Sequence, residues 1–515
     1  MTRLGFLFPA IAVLGALAAF VAIMALVTPA QAATIVVDTI VDDTNANGDC
    51  NLREAIIAAE TDTAFDTCPA GSGADVITLP AGTYVLSQGQ FDISTDITIN
   101  GAGAASTIID AAGSSRVFQY ELPNASAGGL NDLTVQNGSA GSGGALFIDA
   151  IVAINNVVVK DSFADGDGGG IFIDTTGTLN ATNCTVSGNS AAGDGGGIAN
   201  EGPDTLNLSQ CQITENDASD NGGGISNIFE ASANIDATTI SGNTSVGDGG
   251  GIYSNQCCGA DPFVITNSTI SGNASGDDDG GGMNVEDGVA TLTNVTISGN
   301  EASDTGGGFR VDDGSTATLT NVTITGNRAN TDSGGGLAAM DGGTATLLNT
   351  TVAQNTAGGD CFIEAGGTLT SSGNNLSGDA TCGFAAAGDL QNTNAALGAL
   401  ALNAPGTTQT HALPATSPAV DAGASAGCPA TDQRGVARPQ DGNNDGTAAC
   451  DIGAYEFLTP PVESSPTPAP VTQAPAALPP TGGVQDSGSS VAWLGLAALL
   501  AAMAGGALVF SRARR

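Results

Sequence analysis

The sequence predicts an all-β solenoid, a parallel β-helix of three short strands per coil, on three observations. The first is a recurring motif: NCTVSGN (Asn183 to Asn189), QCQITEN (Gln210 to Asn216), ATTISGN (Ala237 to Asn243), NSTISGN (Asn267 to Asn273), NVTISGN (Asn294 to Asn300), NVTITGN (Asn321 to Asn327) and NTTVAQN (Asn349 to Asn355). The closing asparagines stand 27, 27, 30, 27, 27 and 28 residues apart. A period of about 27 residues marks one supersecondary unit stacked on the next. The second is a glycine triplet before an apolar residue in each period, from Gly168–Gly170 before Ile171 to Gly334–Gly336 before Leu337. The third is a short alternating stretch between triplet and motif, such as TATLTN (Thr316 to Asn321), whose β-branched residues suit a strand and whose length is too short for a helix.

Residues 1–32 have the makings of a secretory signal: Arg3, an apolar run from Leu4 to Val27, and Ala30-Gln31-Ala32 as a small-residue cleavage site. Export makes the ten cysteines disulfide candidates. Proximity suggests Cys50 with Cys68, Cys361 with Cys382, and Cys428 with Cys450. Residues 33–74 form the expected N-terminal cap. Asn51 followed by Glu54 is a capping-box pair opening a short apolar helix, and a solenoid end needs a lid over its exposed core and strand edges. The stretch Cys50-Asn51-Leu52-Arg53-Glu54-Ala55 resembles the CSLREA domain, an N-terminal module of secreted β-helix proteins, with Asn51 in place of the usual serine. Asp43, Asn45, Asn47, Gly48 and Glu54 also fit EF-hand spacing, with ordered turns as the alternative.

Residues 75–400 carry the coils, beginning with DVITLPAGTYVLS (Asp75 to Ser87). Val295 and Ile297 share one strand face and are expected inside. Thr296 and Ser298 share the other and are expected to face solvent. Stacked coils bring the closing asparagines into a ladder of side-chain amide bonds. The same stacking puts Cys184 and Cys211 within disulfide range, with two buried free thiols as the alternative.

Net charge is −41. Such a surface repels phosphate backbones, which excludes nucleic acid as a partner class. Asp167, Asp194, Asp248 and Asp279 each precede the last glycine of a triplet by three residues, and Asp220, Asp304 and Asp332 lie one position further back. Stacking would pile these carboxylates into a column that must be solvated, partly protonated or bridged by a cation. Calcium is the candidate ion and no cofactor is required; turn preference alone favours solvated aspartates.

Residues 401–457 include SPAVDAGA (Ser417 to Ala424), DQRGVARPQDGNNDG (Asp432 to Gly446) and CDIGAYEF (Cys450 to Phe457). This run resembles the choice-of-anchor module of bacterial β-helix surface proteins. Within it Asp441, Asn443 and Asp445 fit the first half of a calcium loop, with an ordered turn as the alternative. A proline-rich linker (458–477) leads to LPPTG (Leu478, Pro479, Pro480, Thr481, Gly482), an apolar span at 491–510 long enough for a transmembrane helix, and a basic tail at 511–515. That ordered trio resembles a sortase sorting signal. By resemblance a transpeptidase would cut between Thr481 and Gly482 and join the chain to the cell envelope. Together the resemblances imply a right-handed parallel β-helix displayed at the cell surface.

Catalytic candidates are sparse. Arg310 with Asp312 and Asp313, and Arg328 nearby in sequence, form the best cluster, and a plain ion pair explains it as well. His411 has no nucleophile signature around it. The expected function is an envelope-anchored adhesin or surface interaction protein, meeting an extracellular surface, matrix or glycan. The alternative is a displayed polysaccharide lyase or glycoside hydrolase, since the fold hosts both.

Overall fold

The computed structural model describes residues 32–256, 263–330 and 334–459. The signal segment, Cys257 and Cys258, Asp332, the linker from 460 onward, the LPPTG motif, the apolar span and the basic tail lie outside the described residues. Among the described residues no helix is long and apolar enough to cross a membrane.

The repeats fold as a parallel β-helix. In one coil the strands Ile198–Glu201, Thr205–Ser209 and Gln212–Thr214 follow one another around the core, and each pairs in parallel with its counterpart one coil on. A fourth strand of two residues, Asp217–Ala218 in this coil, was not anticipated; its equivalents stack into a separate eight-stranded sheet. Register brings like residues together. Ile198 meets Ile225 and then Ile252, while Ile213, Ile240, Ile270, Ile297 and Ile324 form another file. All are fully buried, and burying each isoleucine contributes about 1.5–3 kcal/mol.

The corners follow from backbone geometry. The first glycine of a triplet takes a left-handed conformation, as at Gly249 with φ +64°. The second has no room for a side chain: a Cβ on Gly250 would lie 2.3 Å from the Ala274 carbonyl carbon. At the other corner the motif's first residue is also left-handed, as at Asn267, Asn294 and Asn321, and asparagine tolerates this best among residues with a Cβ.

The closing asparagines form a continuous buried ladder. Asn216 donates its backbone N–H and its side-chain amide to Asn243 Oδ1, at 3.0 and 2.9 Å, and the same amide reaches Val186 O. The arrangement repeats from Asn189 to Asn355. It ends at Asp360, whose Oδ1 accepts both donors of Asn355.

At the N-terminus the helix Leu52–Glu60 has the capping box, with Asn51 and Glu54 bonded reciprocally. Leu52, Ala55, Ile56, Ala58 and Ala59 enter the same apolar core as the first strands. Arg53 ties the helix to the strand Phe91–Ile93: it pairs with Asp42 at 2.6 Å, donates to the Gly89 and Gln90 carbonyls and lies over the Phe91 ring. Disulfides join Cys50 to Cys68, Cys184 to Cys211, Cys361 to Cys382 and Cys428 to Cys450.

One expectation is overturned. Thr296 is fully buried and Ser298 nearly so, because residues 408–454 run back along the outer face of the third strands. Thr408 Oγ1 donates to Asn267 O, and Thr269 Oγ1 to Gln409 O. Asn321 Nδ2 donates to Asp451 O, and Asn349 exchanges bonds with Ala424. Gln433 sits between Thr269 and Thr296, bonded to both. The cover reaches Thr269 through Thr351, whereas the equivalent Thr185, Gln212 and Thr239 stay exposed or partly exposed.

Candidate functional site

The strand after each glycine triplet presents an outward residue that the turn folds over. Phe172, Ala199, Ser226, Tyr253, Asn284 and Arg310 occupy this file. They are nearly or fully buried because the glycine turn passes directly above them; a Cβ on Gly280, for instance, would lie 2.7 Å from Asn284 Cβ.

The acidic column flanks this file. Asp167 Oδ1 accepts the N–H of Asp194, Asp194 that of Asn221, Asn221 that of Asp248, Asp248 that of Asp279, and Asp279 that of Thr305, at 2.7–2.9 Å. Asp167, Asp194, Asp248 and Asp279 are therefore brought together as the spacing suggested. Asp220 and Asp304 are not in the column, since Asn221 and Thr305 hold those rungs. The result is two pairs of carboxylates separated by a neutral amide. Burial pushes the Asp194 carboxyl up to about 6, and burial raises Asp248 to about 7 with Glu286 and Asp279 adding to the rise.

Arg310 meets this column at its charged end. Its Nη1 lies 3.0 Å from Asp279 and 3.9 Å from Glu286, and its Nη2 lies 2.6 Å from Asp312. Glu286 in turn accepts from the Tyr253 hydroxyl at 2.7 Å, from Asn255 and from Asn284. Burial raises Asp312 to about 8 despite Arg310. The surrounding carboxylates hold the Arg310 guanidinium above its usual pKa, against a burial effect that would lower it. Asp313 turns away, exposed in a left-handed turn, and Arg328 lies exposed in the separate two-residue-strand sheet opposite Glu301. Sequence proximity thus identified Arg310 with Asp312 and wrongly added Arg328. It missed Tyr253, Asp279 and Glu286 as partners, although subtracting one period from Arg310 lands beside Asn284, between Asp279 and Glu286.

Two further groups are structural. His411 Nδ1–H donates to Gly398 O at 2.7 Å and its Nε2 lies 2.8 Å from Ser298 Oγ, with burial lowering its pKa; among the described residues no carboxylate orients the ring, and the two bonds fasten the C-terminal run to the coils. Asp432 chelates Arg434 through Nε and Nη2, and Arg438 lies against Glu456 with both side chains fully buried. The DQRG and CDIGAYE motifs are the parts of this buried ionic network.

The loop candidates hold turns. Asp43 Oδ1 accepts the Asn45 N–H and Asn47 Oδ1 the Asp49 N–H, while Asp441, Asn443 and Asp445 accept N–H groups between residues 445 and 447. Leu478, Pro479, Thr481 and Gly482 lie outside the described residues. On the outer face of the second strands, Asn180, Asn207 and Asn234 form an exposed amide ladder along a shallow depression of about 350 Å³.

A family model described as the right-handed beta helix region matches residues 223–396. No curated protein matches the chain. Among solved structures, the crystal structure of pectate lyase Pel9A aligns at 14% identity, covering 83% of this chain and 96% of that one, with a TM-score of 0.40. The repeats are those of a right-handed parallel β-helix.

Proposed function

We propose that the chain is an exported, envelope-tethered surface protein that binds an extracellular surface, matrix or glycan without cutting it. The observation that carries this reading is the state of Arg310. An arginine acting as a lyase base must shed a proton, yet both its terminal nitrogens are committed to buried carboxylates that stabilise the charged form. Tyr253 is equally unsuited, since burial and its hydrogen bond to Glu286 raise its pKa. What remains for a partner is a regular polar face of stacked Asn and Thr side chains on an acidic body. The LPPTG resemblance supports covalent attachment through Thr481 by a sortase-type transpeptidase, with the 491–510 span holding the chain in the membrane beforehand. Within this reading the helix Leu52–Glu60 is the lid on the first coil.

One observation favours a second reading, a glycoside hydrolase. Glu201, raised to about 7 by burial and then by the charges of Asp167 and Asp194, is a carboxyl partly protonated at neutral pH, as a general acid must be. The test is incubation with acidic and neutral glycans, with and without calcium. Retention of glycan without new reducing or unsaturated ends is expected. Release that disappears in Glu201→Gln would establish hydrolysis instead.

A further inference from the structure

The N-terminal end of the helix Leu52–Glu60 collects three carboxylates. Asp49, Glu54 and Asp66 each offer an oxygen there, all within 4.8 Å of one another. Like charges at that distance repel unless something neutralises them. The adjacent arginine does not: Arg53 is turned to Asp42 at 2.6 Å. Glu54 is fully buried, and only its Oε2 is used, accepting the Asn51 N–H at 3.2 Å. Glu54 Oε1 has no partner, and neither does the buried Oδ1 of Asp49. A buried carboxylate oxygen without a donor carries its full desolvation cost. Burial, then the charges of Asp49, Asp66 and Asp43, hold the Glu54 pKa above its ordinary value against the Asn51 N–H.

We propose that Asp49, Glu54 and Asp66 form a binding site for a divalent cation of the calcium class. Two of the three ligands flank a disulfide: Asp49 adjoins Cys50, Asp66 lies two residues before Cys68, and the Cα atoms of the two cysteines are 5.0 Å apart. The crosslink holds the carboxylates in place before the ion arrives, so less ordering accompanies binding. This set is not the EF-hand spacing. Asp43 and Asn47 spend oxygens on loop N–H groups and shape the approach to Asp49, while Asp66 comes from beyond the helix. Calcium suits the site better than magnesium because two of the three ligands, Asp49 and Asp66, come from irregular segments outside the helix and Asp66 is exposed, leaving room for water to complete the shell. The acidic group at Asp248, Asp278 and Asp279 is a weaker candidate, since Arg310 already supplies a cation to Asp279. The site stands whether the coils bind or cleave a glycan.

The test uses the full-length chain freed of divalent ions, titrated with calcium chloride by calorimetry and followed by hydrogen exchange across residues 43–68. Glu54→Gln keeps an oxygen for the Asn51 N–H, and Asp66→Asn keeps one for the Gly48 N–H that Asp66 Oδ2 accepts. Calcium is expected to slow exchange across 43–68 in the wild type, and each neutralised variant, with Asp49→Asn/Asp66→Asn as the double, to lose about tenfold or more in affinity. In chelator the double variant is expected to exchange no faster than the wild type, because removing repulsion does not harm an empty site. Calcium binding of equal affinity and stoichiometry in the double variant would overturn the proposal. So would exchange across 43–68 that ignores millimolar calcium, which would leave protonation as the means by which Glu54 is neutralised.

Discussion

Replacing Asn243 by alanine tests whether the asparagine ladder holds the coils together. Four side-chain bonds vanish: two donated to Oδ1 by the backbone and amide of Asn216, and two donated by Nδ2 to Ile213 O and Asn273 Oδ1. The bond from the Asn243 backbone N–H to Asn273 Oδ1 survives, as does that from the Asn216 amide to Val186 O. The Asn216 N–H loses its acceptor, and one Asn216 amide hydrogen and one Ile213 lone pair are left without partners. The site is fully buried, so water cannot replace them. Orphaned buried groups cost about 1–3 kcal/mol each, and the partial survival of Asn216 and Ile213 bonding brings the total to about 3–5 kcal/mol. Solenoid stability is a sum of coil and interface terms, so the loss should be local. Hydrogen exchange of the amides between residues 213 and 273 is therefore the primary assay, with the denaturation midpoint beside it. Asn234→Ala is the control, because that exposed amide bonds Asn207 in water and its loss should cost no more than about 0.5 kcal/mol. A loss below about 1 kcal/mol at Asn243, or equal effects at both positions, would refute the argument from burial.

Three other outcomes are expected. Thermal stability should fall between pH 5 and pH 8: Asp194 is raised to about 6, and Glu201, Asp248 and Asp451 to about 7, so each contributes stability that is fully present below its unfolded pKa and is lost as pH rises through these values. Asp42, Asp110 and Asp379 are lowered and lose their contribution in acid, so a melting midpoint that climbs steadily from pH 5 to 8 would contradict the burial assigned to the raised group. Gln433→Ala removes bonds to Thr269, Thr296, Thr408 and Gln409 and should free residues 408–454 for limited proteolysis without changing exchange at Thr185–Thr239; unchanged cleavage would mean other contacts hold the segment. Arg438→Met strands the fully buried Glu456 and should cost about 3–5 kcal/mol, much of it recovered when Glu456→Gln is added; a double variant no better than the single would show that the charge pair is not the source.

The fold was legible because in-register stacking turns a long-range contact into a repeat. Ile213 touches Ile240 since the same residue recurs one period later, so the sequence carries its own contact list. The helix Leu52–Glu60 was legible for a local reason, the Asn51 and Glu54 spacing. The cover over the third strands was not. Thr185 with Ser187 and Thr296 with Ser298 have the same local pattern, yet only the second pair lies under residues from more than 100 positions away. No local signal separates them. The column was legible to within one residue: Asp220 and Asn221 are neighbours, either can accept an N–H, and turn geometry alone decides that Asn221 does. At the Arg310 cluster, the partner two residues away was found, and those from the coil below were missed because distance along the chain stood in for distance across the stack. Asp66 was missed for a related reason, being carried to Glu54 by the Cys50–Cys68 crosslink.

The column also separates what the fold requires from what it merely tolerates. Each rung must supply one acceptor for the N–H of the next coil, and the amide of Asn221 does this at the same 2.8 Å as the carboxylate of Asp194. Negative charge is therefore surplus to the hydrogen bond at every aspartate rung. That surplus raises pKa values at Asp194 and Asp248 and draws Arg310 onto Asp279, so the fold bears a cost that an all-asparagine column would not. A neutral column would satisfy the backbone equally and would offer nothing to a cation or a basic partner. The charge that stacking does not need is thus the part of the column that a cationic group can engage, as the Arg310 guanidinium does at Asp279.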